Sequence, residues 1–213
     1  VDFLKDVYGI PEEKVELLVL GADDEKVEEA RTPAVAIELR NKFQIDENDF
    51  LIMTGGKIDA NKRQVLLLMQ AINELGRPDV KLIVFGSVDP LLKPQFDQLL
   101  SGCVQFIGWV DSAETYKVFN AADLIVFPGL HSVFWEQAVG LGKPCVFKYM
   151  EGFAHIDLGG NCKFLYNDSV EEMKKVITGI VDFKEIYEEM KRIALKKGMD
   201  MFSYKKISER SIS

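Results

Sequence analysis

Strand-length apolar runs alternate with amphipathic stretches of helix length along nearly the whole of this 213-residue chain. No other feature narrows the fold as much, because the hydrophobic period must match the element that buries it. Strands are expected at residues 15–20, 49–54, 80–85, 103–107, 123–127, 144–147 and 163–166. Helices are expected at 34–43, 62–75, 91–100, 112–121, 133–141, 170–180 and 183–199. Leu82-Ile83-Val84-Phe85 and Leu124-Ile125-Val126-Phe127 are continuously apolar, as strands covered on both faces must be. Short Gly- and Pro-containing connections between such runs predict an α/β fold with a doubly wound, mostly parallel sheet. In such sheets ligands bind beyond the carboxyl ends of the strands, where the strand order reverses. Attention therefore falls on residues 55–62, 86–89, 108–110 and 128–132, and on the connection after Phe147.

Composition removes several classes. The chain carries a formal net charge of -8 with a sequence pI of about 4.9, which argues against nucleic acid and a membrane surface as partners. No apolar stretch reaches membrane-spanning length, and no signal region is expected. Cys103, Cys145 and Cys162 are odd in number and flanked by apolar residues, so they read as buried thiols in a reducing compartment. His131 and His155 are the only histidines, and neither CxxC nor HxxxH occurs, so no metal site is expected. The chain begins with Val1 and enters what reads as mid-helix at Asp2-Phe3-Leu4, as a piece of a longer polypeptide would.

Against the acidic background, the run Thr54-Gly55-Gly56-Lys57-Ile58-Asp59-Ala60-Asn61-Lys62-Arg63 concentrates positive charge where a strand gives way to a helix. The glycines permit close approach of a backbone to a ligand, and Lys57 and Lys62 are spaced to converge on one polyanion, phosphate above all. A solvated loop is the plainer reading. The run is neither GxGxxG nor the GxxxxGK[ST] of a P-loop, which argues against NAD and ATP hydrolysis. A second strand-to-helix connection, Pro128-Gly129-Leu130-His131-Ser132, leads into Val133-Phe134-Trp135-Glu136. Ser132 is placed to cap that helix, with Glu136 in its first turns, either as a ligand contact or as a partner of the helix dipole. His131 is either a ligand contact or a solvated turn histidine.

The ordered set of segments resembles the C-terminal, donor-binding half of a GT-B glycosyltransferase, and is most similar to the family 4 retaining enzymes. Tyr8-Gly9-Ile10-Pro11 with Leu20-Gly21-Ala22-Asp23 resembles the hinge into that half, and Gly56-Lys57-Ile58 with Lys62 its phosphate loop. Leu82 to Gly86, Val104 to Val110, Ala122 to Pro128, Glu136 to Pro144 and Phe202-Ser203-Tyr204 follow in the family's order. The resemblance implies a Rossmann-like half of a GT-B fold, with residues 1–24 as interdomain hinge and first strand, 25–200 as the nucleotide-sugar-binding domain, and 201–213 as a tail. It implies that Lys57, where the family has arginine, and Lys62 hold a diphosphate and stabilise its growing charge without metal or cofactor. Gly56 belongs to the same loop, and Gly86 would admit the donor closely. Gly108, Trp109 and Val110 would meet the base through backbone groups, and Glu136 would accept from ribose hydroxyls. The family's first glutamate falls on Pro128, so the group meeting the transferred sugar must differ, and His131 or Ser132 is the candidate.

The function so implied is transfer of a glycosyl group from a nucleoside diphosphate sugar with retention, in glycan or polysaccharide biosynthesis. The acceptor would sit mainly on an N-terminal domain outside this chain, and this half alone would bind donor without turnover. The expected location is the cytoplasm, with the parent enzyme peripheral to a membrane through its other half. Two alternatives remain open: a non-catalytic nucleotide-binding or structural domain, and a nucleotide-sugar epimerase of the same fold.

Overall fold

The computed structural model describes residues 2–15 and 18–212. Six parallel strands form one sheet: β1 (Phe50–Ile58), β2 (Val80–Val88), β3 (Val104–Phe106), β4 (Leu124–Phe127), β5 (Cys145–Lys148) and β6 (Cys162–Leu165). Their spatial order is β3-β2-β1-β4-β5-β6, so the chain winds outward from β1 in one direction, then returns to β4 and winds in the other. The helices are α1 (Asp2–Tyr8), α2 (Asp24–Ala30), α3 (Pro33–Lys42), α4 (Gln64–Leu75), α5 (Lys93–Gln98), α6 (Ser112–Ala121), α7 (Phe134–Gly140), α8 (Val170–Asp182), α9 (Lys184–Phe202) and α10 (Tyr204–Ser211).

The strands are apolar throughout because each feeds two cores, with alternate residues going to opposite faces. Leu51, Met53, Ile83, Phe85, Ile125 and Phe127 pack on one side with residues of α2, α6 and α7. Ile52, Leu82, Val84, Leu124 and Val126 pack on the other with α4 and α8. Local chemistry sets the helix ends. The Asp23, Asp111 and Ser169 side chains cap α2, α6 and α8, and Gly76, at φ +64, ends α4 in the left-handed region.

Several expectations require correction. The strand expected at 15–20 does not form among its described residues, while Glu16 and Leu17 lie outside the described part. Ala22 instead makes an isolated parallel bridge with Ser203. Asp24–Ala30 is helical though no helix was expected there, and the expected tail contains α10. The backbone hydrogen bonds Ala22 N to Phe202 O (2.6 Å) and Tyr204 N to Ala22 O (3.0 Å) tie the two chain regions together. Cys145 and Cys162 are buried and adjacent in register on β5 and β6, but Cys103 is partly exposed.

Candidate functional site

The strand order reverses between β1 and β4, so the crevice of this fold opens where their carboxyl ends diverge. The chain leaving β1 supplies Lys57, Asp59 and Lys62, and the chain leaving β4 supplies residues 128–133. They meet directly: a Cβ on Gly129 would stand 3.3 Å from both Cα and Cγ of Lys62. Glycine at 129 lets the second loop lie close against Lys62.

The glycine run does not form the free loop expected of it. β1 continues through Thr54, Gly55, Gly56 and Lys57 to Ile58, paired with β2 throughout. A Cβ on Gly86, whose φ is +116, would come within 1.9 Å of the Gly56 carbonyl oxygen, and one on Gly55 within 2.5 Å of Phe85. The missing side chains at Gly55 and Gly86 are therefore used for strand-to-strand approach, and Gly56 faces the Phe134 ring.

Lys57 projects into solvent with 77% of its side chain exposed, and its Nζ lies 3.3 Å from Asp59 Oδ2. The Asp59 carboxyl is held below its ordinary range, first by the backbone N–H of Asn61 and then by Lys57. Lys62 is half-buried, and that burial lowers its affinity for a proton, with Asp59 opposing. An anion arriving here meets one cation already paired and one partly desolvated.

On the β4 side, Ser132 does not cap α7. The helix begins at Phe134 after Val133, without a side-chain cap. Ser132 is half-buried, and its carbonyl accepts from Trp135 N at 2.9 Å. Glu136 is 1% exposed, drawn inward beside the fully buried Trp135, whose indole stacks on Phe147 at 4.5 Å. Its Oε1 accepts from Nε2 of His131 at 2.8 Å and from Nε2 of His155 at 3.0 Å. Burial raises the carboxyl's proton affinity, but the hydrogen bonds from His155 and His131 outweigh it and leave it below the ordinary value. Glu136 is thus enclosed by two imidazoles, where a ribose contact had been expected. His155, brought in by the 3-10 turn Ala154–Ile156 after β5, had no role in the sequence reading. The one signal available was that the chain's only two histidines flank this glutamate.

The residues following β3 lie two strand spacings from β1, roughly 10 Å. Gly108, at φ +77 with open space where a Cβ would be, accepts from Gly86 N at 2.7 Å. Trp109 is 73% exposed and Val110 buried, and both line a cavity of about 360 Å³ with Leu39, Phe43 and Ile107. The fold therefore gathers Lys57, Lys62, His131 and Ser132 at the crevice and sets Gly108 to Val110 apart from them. Among the described residues no cluster of three or more His, Cys, Asp or Glu could hold a metal ion, and no helix is long and apolar enough to cross a membrane.

Comparison with known proteins agrees with this fold. The chain is similar to WaaG, a glycosyltransferase involved in lipopolysaccharide biosynthesis, with a TM-score of 0.75 at 17% identity. It is equally similar to Anabaena HepE in complex with UDP and glucose, with a TM-score of 0.76 at 17% identity. Each match covers 97% of this chain and 58% of the other. An uncharacterised glycosyltransferase of Methanocaldococcus jannaschii is 23% identical over 161 residues, which are 70% of this chain and 40% of that relative. The chain thus spans roughly half the length of these relatives. Residues 35–197 match the family described as glycosyl transferases group 1, so this chain belongs to that family.

Proposed function

We propose that this chain is the donor-binding half of a retaining glycosyltransferase that takes a sugar from a nucleoside diphosphate sugar. The contact of Lys62 with the Gly129 loop at the switch point carries the reading, because it brings a partly desolvated cation and the His131-Ser132 connection to one crevice. Lys62 and Lys57 hold the diphosphate and stabilise the negative charge that grows on it as the sugar departs. Desolvation strengthens such an interaction, while Lys57 must first give up Asp59. The base lies in the cavity beside Trp109 and Val110, within reach of an extended nucleoside diphosphate from the crevice. His131 and Ser132 face the transferred sugar. The acceptor occupies a second domain, as the longer relatives suggest.

Calorimetric titration of the chain with UDP, GDP and ADP tests this, with UDP tried first because HepE is described with UDP bound. Saturable binding is expected, weakened about tenfold or more by Lys62→Ala. Binding that is indifferent to Lys62→Ala would remove the phosphate assignment. No binding by any nucleotide would favour a domain that has lost its site.

A further inference from the structure

Glu136 Oε1 is shared between two imidazole nitrogens, an arrangement with consequences for both rings. A carboxylate offers no proton, so each Nε2 facing it must carry one, and each neutral ring then has an unprotonated Nδ1. The carboxyl is held below its ordinary proton affinity by these same bonds, which keeps it in the acceptor form. His155 Nδ1 is buried with no hydrogen-bond partner, as is Glu136 Oε2. A proton on His155 Nδ1 would be an enclosed donor with no acceptor, so His155 is fixed as the Nε2–H tautomer. His131 differs. It lies in the connection between β4 and α7, and among the described residues no hydrogen bond engages its Nδ1.

We infer that His155 is a positioning residue that acts through Glu136 to hold His131 in its Nε2–H tautomer, leaving the His131 Nδ1 as an acceptor for a hydroxyl of the transferred sugar. The two loops that follow β4 and β5 are thereby locked together by one carboxylate of α7. Phe153, at 4.6 Å between ring centroids, and Trp135, at 5.1 Å, pack against the His131 ring. With His155 absent, the carboxylate loses the donor that anchors Oε1 between the two loops and is free to turn away from His131, whose tautomer is then no longer dictated. The sugar contact rests on the function proposed above; the tautomer does not.

Long-range proton–nitrogen NMR of the imidazoles reads the tautomer without any ligand. In the wild-type chain at pH 8 both rings are expected as Nε2–H, and an Nδ1–H form of His131 would overturn the inference. His155→Phe keeps an aromatic ring but no donor, and should turn His131 into a mixture of tautomers. His155→Gln restores an N–H donor and should keep the wild-type form. An unchanged His131 in His155→Phe, or a disturbed one in His155→Gln, counts against the inference. If His155→Phe does not fold, the wild-type and His155→Gln spectra decide. Affinities for UDP-glucose and UDP complete the test: His155→Phe should lower the first about fivefold and leave the second unchanged, as loss of one oriented hydrogen bond would. Equal changes in both would refute the positioning role. If wild-type chain binds neither, the proposed function fails, while the spectra still settle the tautomer.

Discussion

Glycines show how one residue type serves opposite ends. Gly86 combines a left-handed φ of +116 with a Cβ position 1.9 Å from the Gly56 carbonyl oxygen, which is backbone and cannot move aside. Gly86→Ala should destabilise the fold by about 3 kcal/mol or more, read as a fall in the denaturant midpoint. Gly179 sits inside α8 with open space around its missing Cβ. Gly179→Ala should raise stability by about 0.5–1 kcal/mol in the same assay, since alanine loses less backbone entropy there. The sequence contained both glycines, yet their difference was not legible. A GGK run looks the same whether the residues bend around a phosphate or let two strands touch, and only the partner at Gly86 separates the cases. Glu136 was likewise visible as a polar residue in an apolar helix, but its partner His155 is nineteen residues on in the sequence.

Among the elements, the end of α6 depends on a buried amine. Lys143 donates to the carbonyl oxygens of Asn120 (2.6 Å) and Ala122 (2.9 Å), giving partners to carbonyls that the helix leaves open. Burial lowers its pKa to about 8, from an ordinary 10.5, with the Asp123 carboxylate opposing. Between those values the unfolded chain holds a proton on this amine that the folded chain does not, so the group adds stability as pH rises, by up to about 1.4 kcal/mol per pH unit. Lys143→Met removes that dependence. Relative to wild type, the variant's unfolding free energy should fall as the pH is taken from 8 to 10.5, measured by urea denaturation at each end. A constant difference would show that the amine does not titrate in that window. The boundaries of most strands and helices were legible from periodicity, because a period of two or of 3.6 is a local property. The extension of β1 to Ile58 was not, because it follows from pairing with β2.

Over the whole molecule, the segment before α2 is clasped by the end of the chain. Ser203 Oγ donates to Asp24 Oδ1 at 2.6 Å and accepts from Lys206 N at 3.1 Å, while the Tyr116 hydroxyl accepts from Asp23 N at 2.9 Å. Gly21 packs under Tyr204 and Ile207, with no room for a side chain. One hydroxyl thus joins α10 to α2 across the full length of the chain. Ser203→Ala should cost about 1–2 kcal/mol of stability and speed amide exchange at Lys206, since it removes a helix cap and one of the two donors to a half-buried carboxylate. Protection at Lys206 equal to wild type would show that α10 is held by packing alone.

By itself the sequence determined the layered α/β class and the two-sided apolar strands. These follow from composition and short-range period, which every chain carries in one dimension. Tertiary structure decided the strand order that sets the ends of β1 and β4 side by side, the approach of Gly129 to Lys62, the use of Gly86 for Gly56, and the enclosure of Glu136 by His131 and His155. Those depend on which crossovers bring distant residues together, and closing a long loop is paid for by packing that no local pattern records.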